Sequence, residues 1–211
     1  LNFLYYIMNS VVIAKFGGSV IGVDGTSIPS IIERIKSLTG KSKVIAVFSA
    51  PLTTVDGNRR SLTDVALELG KIAEGGTVPD LTIIRKTYEK ISELIDSKFQ
   101  NECKIMIDDY LEKVKTELEK VVKNKEFADE TRSKTLAFSG EIIMSQMMEY
   151  ILKSNNIKSQ FVGLEDWPII TDNNIESTNF LVNESSKNIE HVEKMLEKND
   201  VISIGGFIGR T

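Results

Sequence analysis

The sequence predicts an α/β fold, a three-layer α/β/α sandwich built on a mostly parallel sheet. Three observations carry that prediction. The runs at 11–16, 43–48 and 201–204 are apolar on both faces, as strands sandwiched between helical layers are. Each run stops at a glycine or small-residue turn: Gly17-Gly18-Ser19, Ser49-Ala50-Pro51 and Gly205-Gly206. Strand, helix and strand recur within about 40 residues, the length of a βαβ unit.

Taken in order, Val-Val-Ile-Ala-Lys-Phe at 11–16 is a buried strand that meets its glycine turn at once. Residues 28–38 read as a helix, with Pro29 in the first turn and Ile31, Ile32, Ile35 and Leu38 on one stripe. Residues 43–48 are the second strand. Ser61 followed three residues later by Asp64 opens a helix in the manner of a capping box. Helical periodicity continues, with a break at Gly75-Gly76, through roughly 80–99 and 103–124. This stretch, about 61–126, reads as a helical insertion with charged outer faces. A helix over 129–138 is interrupted at Ser139-Gly140-Glu141, and 141–153 is apolar nearly all round, the mark of a buried helix. A strand at 160–163, an irregular stretch through Trp167-Pro168, a strand near 179–182 and a polar helix over 187–198 precede the last strand.

The 211 residues make room for one large α/β domain or two small ones, and the 41% apolar share fills a core. A net charge of −4 with mixed signs argues against nucleic acid as the main partner. The single cysteine, Cys103, excludes an intrachain disulfide and fits a reducing, cytoplasmic setting; it reads as a structural thiol. His191 lies in a polar helix without a second ligand at zinc spacing and reads as a surface residue. No run approaches the roughly 20 apolar residues that span a bilayer, so no membrane partner is expected. Residues 1–7 are apolar but short and lack a basic lead-in; they read as an extension ahead of a domain over 8–211.

In a doubly wound sheet, ligands bind beyond the carboxyl ends of the strands, where all three turns would sit. Glycine there lets backbone N–H groups approach a phosphate. Lys15, at the end of its strand, could reach phosphate oxygens as a point charge. Gly17, Gly18, Ser19, Gly205 and Gly206 are candidate phosphate contacts. The P-loop signature is absent. On these residues alone, a tight turn beside a solvent lysine explains the first motif as well. Ser49, Thr53 and Thr54 could be plain turn residues, and Glu141 could simply favour a helix N-terminus.

Four segments together resemble the aspartokinases of the amino-acid-kinase superfamily: Lys15-Phe16-Gly17-Gly18-Ser19, Ser49-Ala50 followed by Thr53, Thr54 and Asp56, Ser139-Gly140-Glu141, and Gly206-Phe207-Ile208-Gly209. The resemblance implies an amino-acid-kinase-like sandwich that transfers the γ-phosphate of ATP to the β-carboxylate of L-aspartate. It implies that Lys15 and the glycine turn bind phosphates, that Ser49 with Thr53 or Thr54 holds aspartate, and that Glu141 contacts its α-amino group. Mg²⁺ would bridge the ATP phosphates, with no protein ligand assigned. Ile142 stands where the family places Arg, and Thr54 fits only with a one-residue shift. The family's later Gly-Arg-Gly-Gly-Ser-Asp segment is not in the sequence, so the sandwich is expected without its C-terminal portion. A kinase for acetylglutamate, glutamate, uridylate or isopentenyl phosphate is the alternative within the superfamily. An inactive binding module, or a homodimer formed through an open sheet edge, is the alternative outside catalysis.

Overall fold

The structure, a computed structural model, describes residues 10–174 and 178–210. The extension expected over 1–7 lies outside the described residues, as does Thr211.

The strands β1 (Val11–Phe16), β2 (Lys43–Phe48), β5 (Ser159–Phe161) and β6 (Val201–Gly205) form one parallel sheet in the order β1-β2-β6-β5. A short helix α1 (Gly18–Ile21) follows β1, and α2 (Ile28–Thr39) crosses to β2. Pro29 sits in the first turn of α2, and Ile31, Ile32 and Ile35 are buried. On this face α2 and α7 (Glu141–Ser154) cover Phe16, Val44, Ala46, Phe48 and Val201. The helix α7 is buried nearly all round, as its sequence requires.

The opposite face is covered by α8 (Val182–Lys198). Its Val192 and Leu196 pack with Ile202, Ile204, Val162 and Trp167, and Ile45 and Val47 border the cluster. This layer stops short of β1, where Val11 is 51% and Ile13 70% exposed.

Between β2 and α7 lies a helical block: α3 (Leu62–Glu74), α4 (Thr82–Ser92), α5 (Ser97–Asn124) and α6 (Asp129–Ser139). Ser61 caps α3, its hydroxyl accepting from the Asp64 N–H at 3.0 Å. Leu118, Val121 and Cys103 of α5 join the same core as the sheet. Cys103 is buried and burial pushes its thiol up to about 11, so it is an inert core residue.

Two local expectations differ. Residues 52–61 form a hairpin, β3 (Leu52–Val55) and β4 (Asn58–Ser61), that sequence patterning passed over. Asp56 and Gly57 have φ of 48° and 78°, the paired left-handed residues of a two-residue Asp-Gly turn. The strand expected near 179–182 is reduced to one bridge, Thr171 with Phe180, because α8 starts at Val182 rather than 187. Trp167 packs, as an irregular stretch with one buried aromatic suggests. It is fully buried, and its indole N–H donates to the Ile208 carbonyl at 3.0 Å.

Candidate functional site

The carboxyl ends of β1, β2 and β6 lie side by side, stitched across their turns. The Ser49 N–H donates to the Phe16 carbonyl at 3.0 Å, and the Gly206 N–H to the Phe48 carbonyl at 2.7 Å. Beneath them Phe16 and Phe48 stack with centroids 5.3 Å apart. Two rigid aromatic rings thus support the edge on which the three turns stand.

At the end of β1, Lys15 is exposed and engages no ion pair or hydrogen bond among the described residues. The pleat puts Lys15 on the same face as Val11 and Ile13. The Val20 and Ile21 N–H groups both donate to the Gly17 carbonyl, at 2.9 and 3.0 Å. Those of Gly18 and Ser19 come earlier in the turn and meet no backbone acceptor among the described residues. A lysine and two unspent N–H donors at one strand end suit an anion. Gly18 has a second constraint. A Cβ there would stand 2.5 Å from the Ala50 carbonyl oxygen, so only glycine lets the first two turns touch.

The second turn presents Ser49, half-buried, beside Gly206. A Cβ on Gly206 would lie 3.8 Å from the Ser49 hydroxyl oxygen. Glu141, the first residue of α7, reaches the same place from the helical side. Its Oε1 accepts from the Ala50 N–H at 3.4 Å, and its backbone abuts Gly205. Burial raises the Glu141 carboxyl above the ordinary glutamate range, against the pull of the N–H groups of Ala50 and of Glu141 itself. The third turn continues to Arg210, whose guanidinium donates to the carbonyls of Leu164 and Glu165 at 3.1 and 2.7 Å and so holds a loop.

The two threonines part company. Thr53 is buried, and its hydroxyl accepts from that of Thr87 on α4 at 2.8 Å. Thr54 is exposed on the other face of the hairpin, directly across from Arg59. Leu52 shares that face and packs within 3.9 Å of the position a Gly18 Cβ would take. The face bearing Thr54 and Arg59 therefore continues from the glycine turn. Arg60 on the opposite face pairs with Glu68 at 2.5 Å, whereas Arg59 has no partner among the described residues. Arg59 was not singled out from sequence; the Asp56-Gly57 hairpin signal would have placed it. The Leu62 N–H donates to the Pro51 carbonyl at 3.1 Å, which brings the first turn of α3, with half-buried Thr63, back beside the second turn.

Among the described residues no group of three or more His, Cys, Asp or Glu converges as a metal-ligand set. His191 is exposed, 3.9 Å from Asp166. No helix of the described residues is long and apolar enough to cross a membrane.

The amino acid kinase family profile matches residues 10–211. No curated protein matches the sequence. Among solved structures the fold is similar to Escherichia coli aspartokinase III in complex with aspartate and ADP (R-state), with a TM-score of 0.76 at 17% identity. It is also similar to the same enzyme in complex with lysine and aspartate (T-state), with a TM-score of 0.71 at 20% identity. In both comparisons 95% of this chain is covered, and it spans 41% of the neighbour's length. These likenesses give the fold, an α/β sandwich shared with aspartokinase. Together with the profile match over nearly the whole sequence, they establish that the chain belongs to the amino acid kinase family.

Proposed function

We propose that this chain carries the acceptor site and one wall of the phosphate site of an aspartate kinase, which transfers the γ-phosphoryl group of ATP to the β-carboxylate of L-aspartate. The observation that carries the reading is the convergence of the Lys15–Ser19 turn, the Ser49–Ala50 turn and Glu141 on adjacent strand ends. Gly205 and Gly206 close the same edge.

An oxygen of the substrate carboxylate attacks the γ-phosphorus as the bond to the ADP oxygen breaks, giving an acyl phosphate and ADP. The attacking carboxylate is already ionised at neutral pH, so no general base is needed. Catalysis is then positioning and charge stabilisation. Lys15 neutralises charge on the transferring group, and the N–H groups of Gly18 and Ser19 bind its oxygens. Glu141 receives the α-ammonium group of aspartate, and Ser49 donates to a substrate carboxylate. Thr53 is committed to Thr87, so Thr54, with Arg59 and Thr63, is the better placed of the two for the acceptor. Lys15 and the backbone N–H groups donate hydrogen bonds to phosphate oxygens and are not cation ligands. Mg²⁺ would therefore travel with the nucleotide, where it offsets phosphate charge. The neighbour bound to aspartate and ADP supports this pairing of substrates.

A coupled ADP-release assay on this chain and on any longer natural form tests the reading. Turnover with L-aspartate, and much less with glutamate, acetylglutamate, uridylate or isopentenyl phosphate, is expected. Turnover with one of those acceptors and none with aspartate overturns the substrate assignment.

A further inference from the structure

Helix α4 lies outside the strand-end turns, yet two consecutive residues of it grip the candidate acceptor site from behind. Tyr88 is fully buried, and its hydroxyl donates to the carbonyls of Ser139 at 2.9 Å and Gly140 at 3.0 Å. These carbonyls belong to the junction where α6 ends and α7 begins. Gly140 serves as C-cap of one helix and N-cap of the next, and no side chain caps the start of α7. Carbonyls at a helix end lack intrahelical donors, and in a buried place each unsatisfied one costs stability. The Ser139 carbonyl, at the end of α6, gains its donor from the Tyr88 hydroxyl, and the Gly140 carbonyl accepts from that hydroxyl as well as from the Met144 N–H at 3.1 Å. The next residue along is Glu141, whose carboxylate accepts from the Ala50 N–H. On the other side of the site, Thr87 donates to the buried Thr53 hydroxyl of the hairpin.

We propose that Tyr88 is a positioning residue: its hydroxyl clamps the α6–α7 junction and so holds the Glu141 carboxylate against the Ser49–Ala50 turn, while Thr87 beside it anchors the hairpin. Its catalytic consequence rests on the acceptor role of Glu141 given above. Burial lifts the Tyr88 phenol well above its ordinary range, so it stays a protonated donor throughout the working pH range.

Tyr88→Phe keeps the ring and removes only the donor. The readout is the Glu141 side-chain carboxyl, titrated by carbon NMR, together with the Ala50 amide resonance. The matched control is Tyr110→Phe, which deletes a 2.8 Å hydrogen bond to Gln146 further along the same α7 helix. In Tyr88→Phe the Glu141 titration is expected to fall toward the ordinary glutamate range and the Ala50 amide to shift. In Tyr110→Phe both should stay at their wild-type values. Equal movement in the two variants, or none in Tyr88→Phe, overturns the proposal, because general loosening or plain packing would then suffice. If Tyr88→Phe does not fold, the wild-type hydroxyl proton decides. A slowly exchanging phenol proton with a cross-peak to the Gly140 or Glu141 amide supports the clamp, and its absence overturns it. In a form that turns over, Tyr88→Phe should raise KM for the acceptor roughly three- to tenfold with a smaller effect on kcat, the size expected for one lost hydrogen bond acting through substrate binding. Failure of the wild type to use aspartate would sink the functional reading, yet the titration would still decide the clamp.

Discussion

The two sides of the sheet meet the candidate site with different materials. On the side packed by α2 and α7, Phe48, Ala46 and Val44 are fully buried, and the site group that arrives there is Glu141, a carboxylate drawn into partial burial. On the side served by α8 the cover stops before β1, and the site group there is Lys15, exposed and unpaired among the described residues, at the end of a row containing exposed Val11 and Ile13. One side holds its candidate group by packing; the other leaves its candidate group open to solvent. The contrast suits the proposed reaction, in which a small acid would be gripped precisely and a large, highly charged nucleotide would enter and leave.

The largest effect that separates the sides is in stability. Phe48→Ala on the packed side should cost about 3–5 kcal/mol in urea denaturation, the usual penalty for emptying a buried aromatic site. A loss below about 1 kcal/mol would mean that this face is not the tight one. Lys15→Ala should reverse the pattern. Phosphotransfer should fall by about 10²–10³-fold while the denaturation midpoint barely moves, since the side chain packs against little. A rate within about twofold of wild type would remove Lys15 from the phosphate site.

A smaller effect concerns the desolvated carboxylate. Because the folded state raises the Glu141 carboxyl, it binds a proton more tightly than the unfolded chain, whose ordinary value is 4.5. Wild-type stability therefore falls as pH rises through the interval from that value up to the raised one. Glu141→Gln cannot titrate, so its stability relative to wild type should improve as pH climbs from 4 to 7. Denaturation curves at several pH values check the sign, and a flat or opposite trend refutes the burial. The smallest effect belongs to the open side: Ile13→Thr should leave stability within about 0.5 kcal/mol of wild type.

The sequence announced the parts of the site that are local. A lysine, a glycine turn and an apolar run are contiguous, and the backbone can hardly arrange 11–19 otherwise. The cap at Ser61 and the buried character of α7 were readable for the same reason. The hairpin at 52–61 was missed because its second strand, Asn58-Arg59-Arg60-Ser61, has no apolar alternation; only Asp56-Gly57 betrays it. The early start of α8 was missed because its first turn carries no side-chain cap to mark it. What no local pattern could show is the meeting of Glu141 with Ala50, 91 positions apart, or of Tyr88 with the junction behind it. Those contacts exist only once α7 has docked on the sheet.

The close approach of Gly18 to the Ala50 carbonyl has a consequence for how such a site can diverge. The gap between the turn assigned to the phosphoryl donor and the turn assigned to the acceptor is set by main chain touching main chain. Side chains around the acceptor, such as Ser49, Thr54 or Arg59, can therefore be exchanged without altering that gap. On the proposed assignment, acceptor choice and transfer distance are separately adjustable, and a new acid could be recruited with the phosphoryl-donor turn left in place.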